Sequence, residues 1–259
     1  MCGIVGFFSL SADRVRPMDL EPALDAMRHR GPDSKGIWQS PDGSIELDHR
    51  RLAIIDLSPA GAQPMVDPST GNVIVFNGEI YNYRELKQEL QAAGYRFRSD
   101  SDTEVLLHLY ARHGEAMLDR LRGMFAFGLW DSRTHKLLLA RDPLGIKPLY
   151  YADDGKTLRF ASQVKALLAG GGVSDAPSAA GMAGFFLWGC VPEPWTWVEA
   201  IQALPAGCFF AVERGKPVPA PQRYFDLREE IIAAEQSAPP SRDCIFRRMA
   251  NTDSDGRRT

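Results

Sequence analysis

Short apolar runs, cut by Gly, Pro, Asp and Asn, dominate most of the chain. They predict strands over 3–8, 36–39, 45–49, 51–56, 73–76, 124–130, 136–140 and 148–151, with a later one over 208–212. Many of these runs are apolar at odd and even positions alike, which fits sheets covered on both faces. Three stretches change to helical spacing: 20–28, 83–93 with Leu86 and Leu90 four apart, and 102–112 with Val105, Leu106, Leu109 and Tyr110. Because the helices enter in groups instead of after every strand, a layered α+β sandwich is expected in place of a doubly wound parallel sheet. No internal repeat is apparent.

Further along, Gly170-Gly171-Gly172 ends a short helix-like segment, and an apolar region carrying Phe185, Phe186, Trp188, Trp195 and Trp197 follows. That aromatic stretch reads either as a docking surface or as core of the same domain. The pattern places the end of the domain near Leu227, with 175–227 as its closing segment and 228–259 as a disordered tail. The shift in composition is clearest after Ala238, where Pro239, Pro240 and several arginines replace apolar periodicity.

Composition narrows the function classes. The 259 residues are 44% hydrophobic and 24% charged, an ordinary globular balance. A formal net charge of -3 gives no general attraction to nucleic acid or to an anionic membrane, and the tail arginines read as a solvated end. The most apolar stretch, 182–191, is far shorter than the roughly 20 residues that span a bilayer. The start of the chain lacks the pattern of a secretory signal, so a cytoplasmic protein is expected. Cys2, Cys190, Cys208 and Cys244 show neither metal-ligand spacing nor a disulfide framework, and Cys190 and Cys208 read as packed thiols.

Candidate chemistry starts at Cys2, directly behind Met1. Removal of a first methionine before so small a residue would leave a thiol and a free α-amine on one residue. With pKa values of about 8.5 and about 7.7–8.0, the amine can take the thiol proton near neutral pH and later return it to a departing amine. A small apolar residue opening a buried strand is the plainer reading of the same position.

Other segments acquire meaning only together. Asn77-Gly78-Glu79, between a strand and a helix, reads as a turn, yet a side-chain amide beside a glycine N–H can also meet an oxyanion. Ser101 and Glu104 have capping-box spacing, while Asp102 between them could hold an ammonium group. Arg51 opens a strand-like run and is suited to forked recognition of a carboxylate. Arg51 and Asp102 together fit the two charged ends of a free α-amino acid.

Seven segments in fixed order complete the picture. They are Met1-Cys2-Gly3-Ile4-Val5-Gly6, Arg28-His29-Arg30-Gly31-Pro32-Asp33, Arg51-Leu52-Ala53-Ile54-Ile55-Asp56, Phe76-Asn77-Gly78-Glu79-Ile80-Tyr81-Asn82, Ser101-Asp102-Thr103-Glu104, Gly123-Met124-Phe125-Ala126-Phe127, and the run Arg141 to Tyr150. From Met1 to about Leu227 the chain resembles the glutaminase domain of glutamine-hydrolysing asparagine synthetases, which are class II glutamine amidotransferases. The resemblance implies an N-terminal-nucleophile hydrolase fold, a four-layer α/β/β/α sandwich with antiparallel sheets. It implies Cys2 as nucleophile and Asn77 and Gly78 as the oxyanion hole. It further implies Arg51, Leu52, Ala53, Ile54, Ile55, Asn77, Gly78, Glu79 and Asp102 as the residues that bind L-glutamine. Arg30-Gly31-Pro32-Asp33 looks like a family loop near the site, without an assigned chemical role.

The implied reaction is hydrolysis of glutamine to glutamate and ammonia, with no metal or organic cofactor for this half. In the resembled family an ATP- and Mg-dependent synthetase domain receives the ammonia, and that domain carries a Ser-Gly-Gly-x-Asp-Ser pyrophosphate loop that this chain lacks. A synthetase domain or subunit acting in trans is therefore an expected partner, and asparagine synthesis by this polypeptide alone is not expected. A catalytically silent binding module of the same fold is the alternative reading.

Overall fold

The computed structural model describes residues 1–11 and 20–237. In chain order its strands are β1 (Gly3–Ser9), β2 (Ser34–Gln39), β3 (Ile45–Arg51), β4 (Met65–Val66), β5 (Val73–Ile80) and β6 (Gly123–Asp131). After them come β7 (Lys136–Arg141), β8 (Tyr150–Asp153), β9 (Thr157–Ala161), β10 (Gln202–Ala203), β11 (Cys208–Glu213) and β12 (Gln222–Arg223). They form two six-stranded sheets, ordered β10-β8-β9-β1-β3-β2 and β12-β11-β7-β6-β5-β4. Neighbouring strands are antiparallel throughout both.

Three apolar layers hold the sheets and helices together. Between the sheets, Ile4, Phe8, Ile45 and Leu47 meet Val73, Val75, Leu139 and Phe210. Behind the second sheet, Ile74, Phe76, Phe127 and Leu138 pack on the apolar faces of α2 (Tyr83–Ala92) and α3 (Asp102–His113). Behind the first, Val5 and Phe7 pack on α1 (Glu21–Ala26) and α4 (Val164–Ala169). Strands with both faces covered need apolar residues at every position, which is why β1 is buried from Gly3 to Ser9. Each fully buried large side chain contributes roughly 1.5–3 kcal/mol, and the inter-sheet layer and the layer behind the second sheet are of similar size. Close approach is built in: the Phe160 ring lies 2.7 Å from where a Cβ on either Gly6 or Gly128 would sit. The result is the expected four-layer α/β/β/α sandwich.

Several local expectations change. Residues 77–79 are not a turn, because β5 runs on to Ile80 in register with β6. The strand predicted over 51–56 ends at Arg51, and 52–56 form an irregular loop. Its polar groups are satisfied by side chains instead of a ladder: Asp33 Oδ2 accepts from the Ala53 N–H at 2.8 Å, and the Arg51 guanidinium binds the Asp56 and Ser58 carbonyls. The strand β9 and helix α5 (Ala179–Trp188) were not foreseen.

Helix α5 turns its small residues inward. A Cβ on Gly181 would lie 2.1 Å from the Thr196 carbonyl oxygen, and one on Gly184 2.3 Å from Pro192. The bulky side chains are left outside, with Phe186, Leu187 and Trp188 at 78%, 72% and 68% exposure. Of the two cysteines read as packed, Cys208 is buried and Cys190 is exposed.

The compact unit containing both sheets is Met1–Phe225, and the residues from Asp226 onward fall in a second unit. Its described part is α6 (Leu227–Ser237), a helix where composition pointed to disorder from 228. The arginine-rich stretch after Ala238, with Cys244, lies outside the described residues. Among the described residues no helix is long and apolar enough to cross a membrane.

Candidate active site

The strands bring the sequence candidates to one end of the sandwich. Cys2 precedes β1, Arg51 closes β3, and Asn77, Gly78 and Glu79 lie in β5, so the two sheets present them to a common cleft. The cleft has a volume of about 200 Å³ and is lined by Cys2, the whole of 51–56, Asn77, Gly78, Glu79 and Asp102. Every site residue named from sequence borders it. Met1 borders it too, beside the thiol.

Cys2 is held at its carbonyl and at its sulfur. Arg30 Nε donates to the Cys2 carbonyl at 2.9 Å, and the Leu52 N–H donates to Cys2 Sγ at 3.4 Å. Burial pushes the thiol pKa up; the Leu52 contact, the chain-terminal amine, Arg51 and Arg30 all pull it back. Sequence reasoning gave Arg30 no role, and its place beside Cys2 is visible only once the 28–33 loop is folded.

The edge of β5 explains why Asn77 and Gly78 sit in a strand. Alternate N–H groups of a strand point the same way, so those of Phe76, Gly78 and Ile80 share one edge. Phe76 N donates to Gln63 Oε1 at 2.6 Å and Ile80 N to Asp102 Oδ2 at 3.0 Å. On the other side Phe125, which pairs with Gly78, turns both its N–H and its carbonyl to Asp142. The Gly78 N–H is thereby directed to the cleft between two anchored neighbours. A side chain at Gly78 is excluded, since its Cβ would lie 2.3 Å from the Met124 carbonyl oxygen. Next to it, Asn77 is 1% exposed and its Nδ2 has no hydrogen-bond partner in the protein. A buried donor left in this state costs about 1–3 kcal/mol, which a ligand oxygen would recover.

Ser101 is the N-cap of α3, accepting from the Thr103 N–H at 3.2 Å, while Asp102 Oδ2 accepts from the Ile80 N–H at 3.0 Å. Glu104 does not complete the capping box but accepts from the Arg98 and Ser99 N–H groups. This frees Asp102 for the cleft, where burial raises its pKa to about 6, with the Glu79 charge adding to the effect and the Ile80 and Thr103 N–H groups opposing it. Two carboxylates facing one small cleft favour a cation between them. Arg51 stands across it, its guanidinium fixed by the Asp56 and Ser58 carbonyls.

Two further lining residues, Gln63 and Lys147, were missed, and so was His49 behind the cleft wall. Gln63 spans the cleft wall from the Phe76 N–H to Thr103 Oγ1, the latter at 3.2 Å. His49, fully buried in β3, reaches the Phe76 carbonyl with Nε2 at 3.2 Å and so links the sheets just before Asn77. Lys147 lines the cleft at 6% exposure. Its segment is folded by Asp142, whose carboxylate accepts from the N–H groups of Phe125, Leu144, Ile146 and Lys147. Among the described residues no cluster of His, Cys, Asp and Glu has the arrangement of a metal site.

The family profile described as glutamine amidotransferase domain matches residues 1–225. This chain belongs to that family. Within it, the chain is 40% identical over 252 residues to asparagine synthetase [glutamine-hydrolyzing] 1 of Bacillus subtilis, covering 95% of this chain and 39% of that protein. It is 46% identical to asparagine synthetase B [glutamine-hydrolyzing] of Escherichia coli, over 65% of this chain and 30% of the relative. The amidotransferase chain thus spans less than two-fifths of either relative. Among solved structures, glutamine phosphoribosylpyrophosphate amidotransferase of B. subtilis superposes with a TM-score of 0.61 over 85% of this chain and 49% of its own, at 21% identity. That likeness shows that the two chains share a fold.

Proposed function

We propose that this chain hydrolyses L-glutamine to glutamate and ammonia, with Cys2 as nucleophile. The observation that carries the reading is the pair of donors beside the thiol: a buried Asn77 amide without a partner, and the Gly78 N–H left open on the β5 edge. Donors aimed at a developing oxyanion are the part of such a site that lowers the barrier most.

The steps follow from these groups. Once Met1 is removed, the α-amine of Cys2 takes the thiol proton, and the thiolate attacks the side-chain carboxamide carbon. Asn77 and Gly78 donate to the tetrahedral oxyanion. The ammonium returns its proton to the leaving nitrogen, ammonia departs, and water hydrolyses the γ-glutamyl thioester. Arg51 holds the substrate carboxylate, Asp102 and Glu79 its ammonium, and the 52–55 backbone closes the pocket around both. Every step of this half-reaction uses groups of the chain itself. Among the described residues the cysteines Cys2, Cys190 and Cys208 are free thiols, which suits a reducing compartment and supports a cytoplasmic setting.

The ammonia acceptor lies beyond the cleft, and we assign it to a synthetase-type partner, domain or subunit, that would use ATP and Mg. The exposed face of α5 with Trp195 and Trp197 supports docking of such a partner. Its six large apolar side chains present on the order of 700 Å², more than an isolated monomer usually exposes and close to one side of a standard interface. Between Ala176 and Val198 only Glu193 is charged, and it is paired with Arg141 at 2.7 Å. Measuring glutamate and ammonia release from glutamine, without ATP or an acceptor, tests the proposal. Release that disappears in Cys2→Ala supports it; a processed protein that releases neither product rejects it.

A further inference from the structure

A second cavity, larger than the catalytic cleft, lies on the other side of α3. It measures about 560 Å³, against about 200 Å³ for the cleft. The turn after β4 forms one wall, the segment joining α2 to α3 forms another, and Leu107 and His108 of α3 form the floor. The two cavities share their partitions: α3 gives Asp102 and Thr103 to the cleft and Glu104, Leu107 and His108 to the second cavity. The chain at Gln63 to Val66 divides in the same way.

The unspent hydrogen-bonding capacity of this cavity lies in the two ring nitrogens of His108 and in the guanidinium donors of two arginines. His108 is 6% exposed, and neither ring nitrogen has a hydrogen-bond partner in the protein. Its nearest carboxylate, Glu104, stands 3.7 Å from Nε2 and is already engaged by the Arg98 N–H, the Ser99 N–H and the Ser99 hydroxyl. The other carboxylate on the wall, Asp67, is engaged by the Ser69 N–H and by the Ser69 and Thr70 hydroxyls. Arg96 and Arg98 line the rim, and neither has a carboxylate partner among the described residues. Arg98 donates to the Val66 carbonyl at 3.2 Å, a use of only one of its five N–H groups.

The remaining surface is apolar and aromatic. Met65, Val66 and Leu107 line it, and the Tyr95 ring lies 5.2 Å from the imidazole of His108. A pocket of this size with an apolar body and a few convergent donors has the form of a small-molecule site. We infer that the cavity binds a small aromatic anion, a planar ring bearing a carboxylate or a phosphate. The ring packs on Tyr95 and Leu107 and meets His108, and the anionic group pairs with Arg96 and Arg98.

The test is titration calorimetry on the full chain carrying Cys2→Ala, so that binding is read without hydrolysis and independently of the glutaminase proposal. Salicylate and adenosine 5′-monophosphate probe the two anionic groups, and inorganic phosphate probes the anion without a ring. Saturable binding of a ring-bearing probe, weakened about tenfold or more by Arg96→Ala, supports the site. Arg96 is exposed and has no hydrogen bond or ion pair among the described residues, so this variant keeps the protein intact; Arg96→Ala with Arg98→Ala should abolish binding. No binding of either ring probe at about 10 mM overturns the proposal, because that is weaker than any useful affinity. Binding unchanged in Arg96→Ala, or inorganic phosphate binding as tightly as the ring probes, overturns it equally.

Discussion

The Leu52 N–H donates to the Cys2 sulfur at 3.4 Å, joining the first residue of the irregular 52–56 loop to the residue before β1. Burial alone would leave the thiol a poor nucleophile, since it disfavours the thiolate. The Leu52 contact stabilises the anion, and an α-amine freed by Met1 removal supplies a base. Cys2→Ala is therefore expected to lower glutamine hydrolysis by at least about 10³-fold while leaving the thermal midpoint close to that of the parent. Coupled glutamate detection reads the first quantity and calorimetry the second. Intact-mass measurement should find the active protein without Met1; full activity with Met1 retained would contradict the mechanism.

Asn77 and Gly78 should separate in their effects although the proposed mechanism gives them one oxyanion. Because Asn77 Nδ2 has no partner in the free protein, Asn77→Ala breaks no hydrogen bond from that nitrogen. Its expected signature is a fall in kcat of about 10²–10³-fold with little loss of stability. In Gly78→Ala the new Cβ meets strand backbone at 2.3 Å, so activity falls together with about 1–3 kcal/mol of stability. Steady-state kinetics beside urea unfolding distinguishes the two patterns. An Asn77→Ala protein with unaltered kcat would remove the amide from the mechanism.

Asp102 links substrate binding to pH. Its pKa is raised from 3.8 to about 6, chiefly by burial. Near pH 4 and below, the group is protonated in the fold and its burial costs little. As pH rises through 6 the folded state must carry the charge, and stability is lost. Asp102→Asn should accordingly match the parent near pH 4 and exceed it at pH 8, by up to about 3 kcal/mol. Function runs the other way. In the proposed mechanism the charged form holds the substrate ammonium, so KM for glutamine should rise about tenfold per pH unit below 6 in the parent. A flat KM between pH 5 and pH 7 would exclude Asp102 as the ammonium partner.

How far the site can be read from sequence depends on whether the signal is chemical or steric. Cys2, Arg51 and Asp102 carry distinctive groups in ordered motifs, and each borders the cleft. Asn77 and Gly78 were expected in a turn, and the structure places them in a strand beside the cleft. Asn-Gly ordinarily marks a turn, whereas here a glycine is needed because β6 backbone passes too close for a Cβ. The 51–56 run looks like a strand because it is apolar, but its path is set by Asp33 and by the Arg51 guanidinium, contacts distant or irregular in sequence. Helix α5 is apolar on all sides, so periodicity could not show that its glycines face inward and its aromatics outward. Gln63 and His49 act through single hydrogen bonds across the fold, which no local pattern announces.

His49 sets the acid limit of the fold. It is fully buried, and burial pushes its pKa from 6.5 down to about 3, so it is neutral in the native state and donates from Nε2 to the Phe76 carbonyl. The unfolded chain binds the proton that the fold refuses. Stability from this group is therefore complete above about pH 6.5 and falls as pH drops toward 3, by up to about 5 kcal/mol. A non-titrating replacement, His49→Gln, should be less stable at pH 7 and yet lose less stability between pH 7 and pH 4. Urea midpoints across that range measure the slope. An unchanged slope in the variant would assign the acid sensitivity to other groups.

The exposed face of α5 should control association and not hydrolysis. Phe186 and Trp188 lie on its outside at 78% and 68% exposure, so replacing them breaks little internal packing. Exchange of both for serine is expected to leave glutamine hydrolysis by the isolated chain within about twofold and stability within about 0.5 kcal/mol, as is usual for surface sites. Binding to a synthetase-type partner should weaken at least about a hundredfold, because exposed aromatics at the centre of an interface carry most of its energy. Sedimentation of the chain with such a partner reads the affinity, and ammonia-dependent product formation reads the coupling. Equal affinity in parent and variant would show that the partner docks elsewhere on the domain.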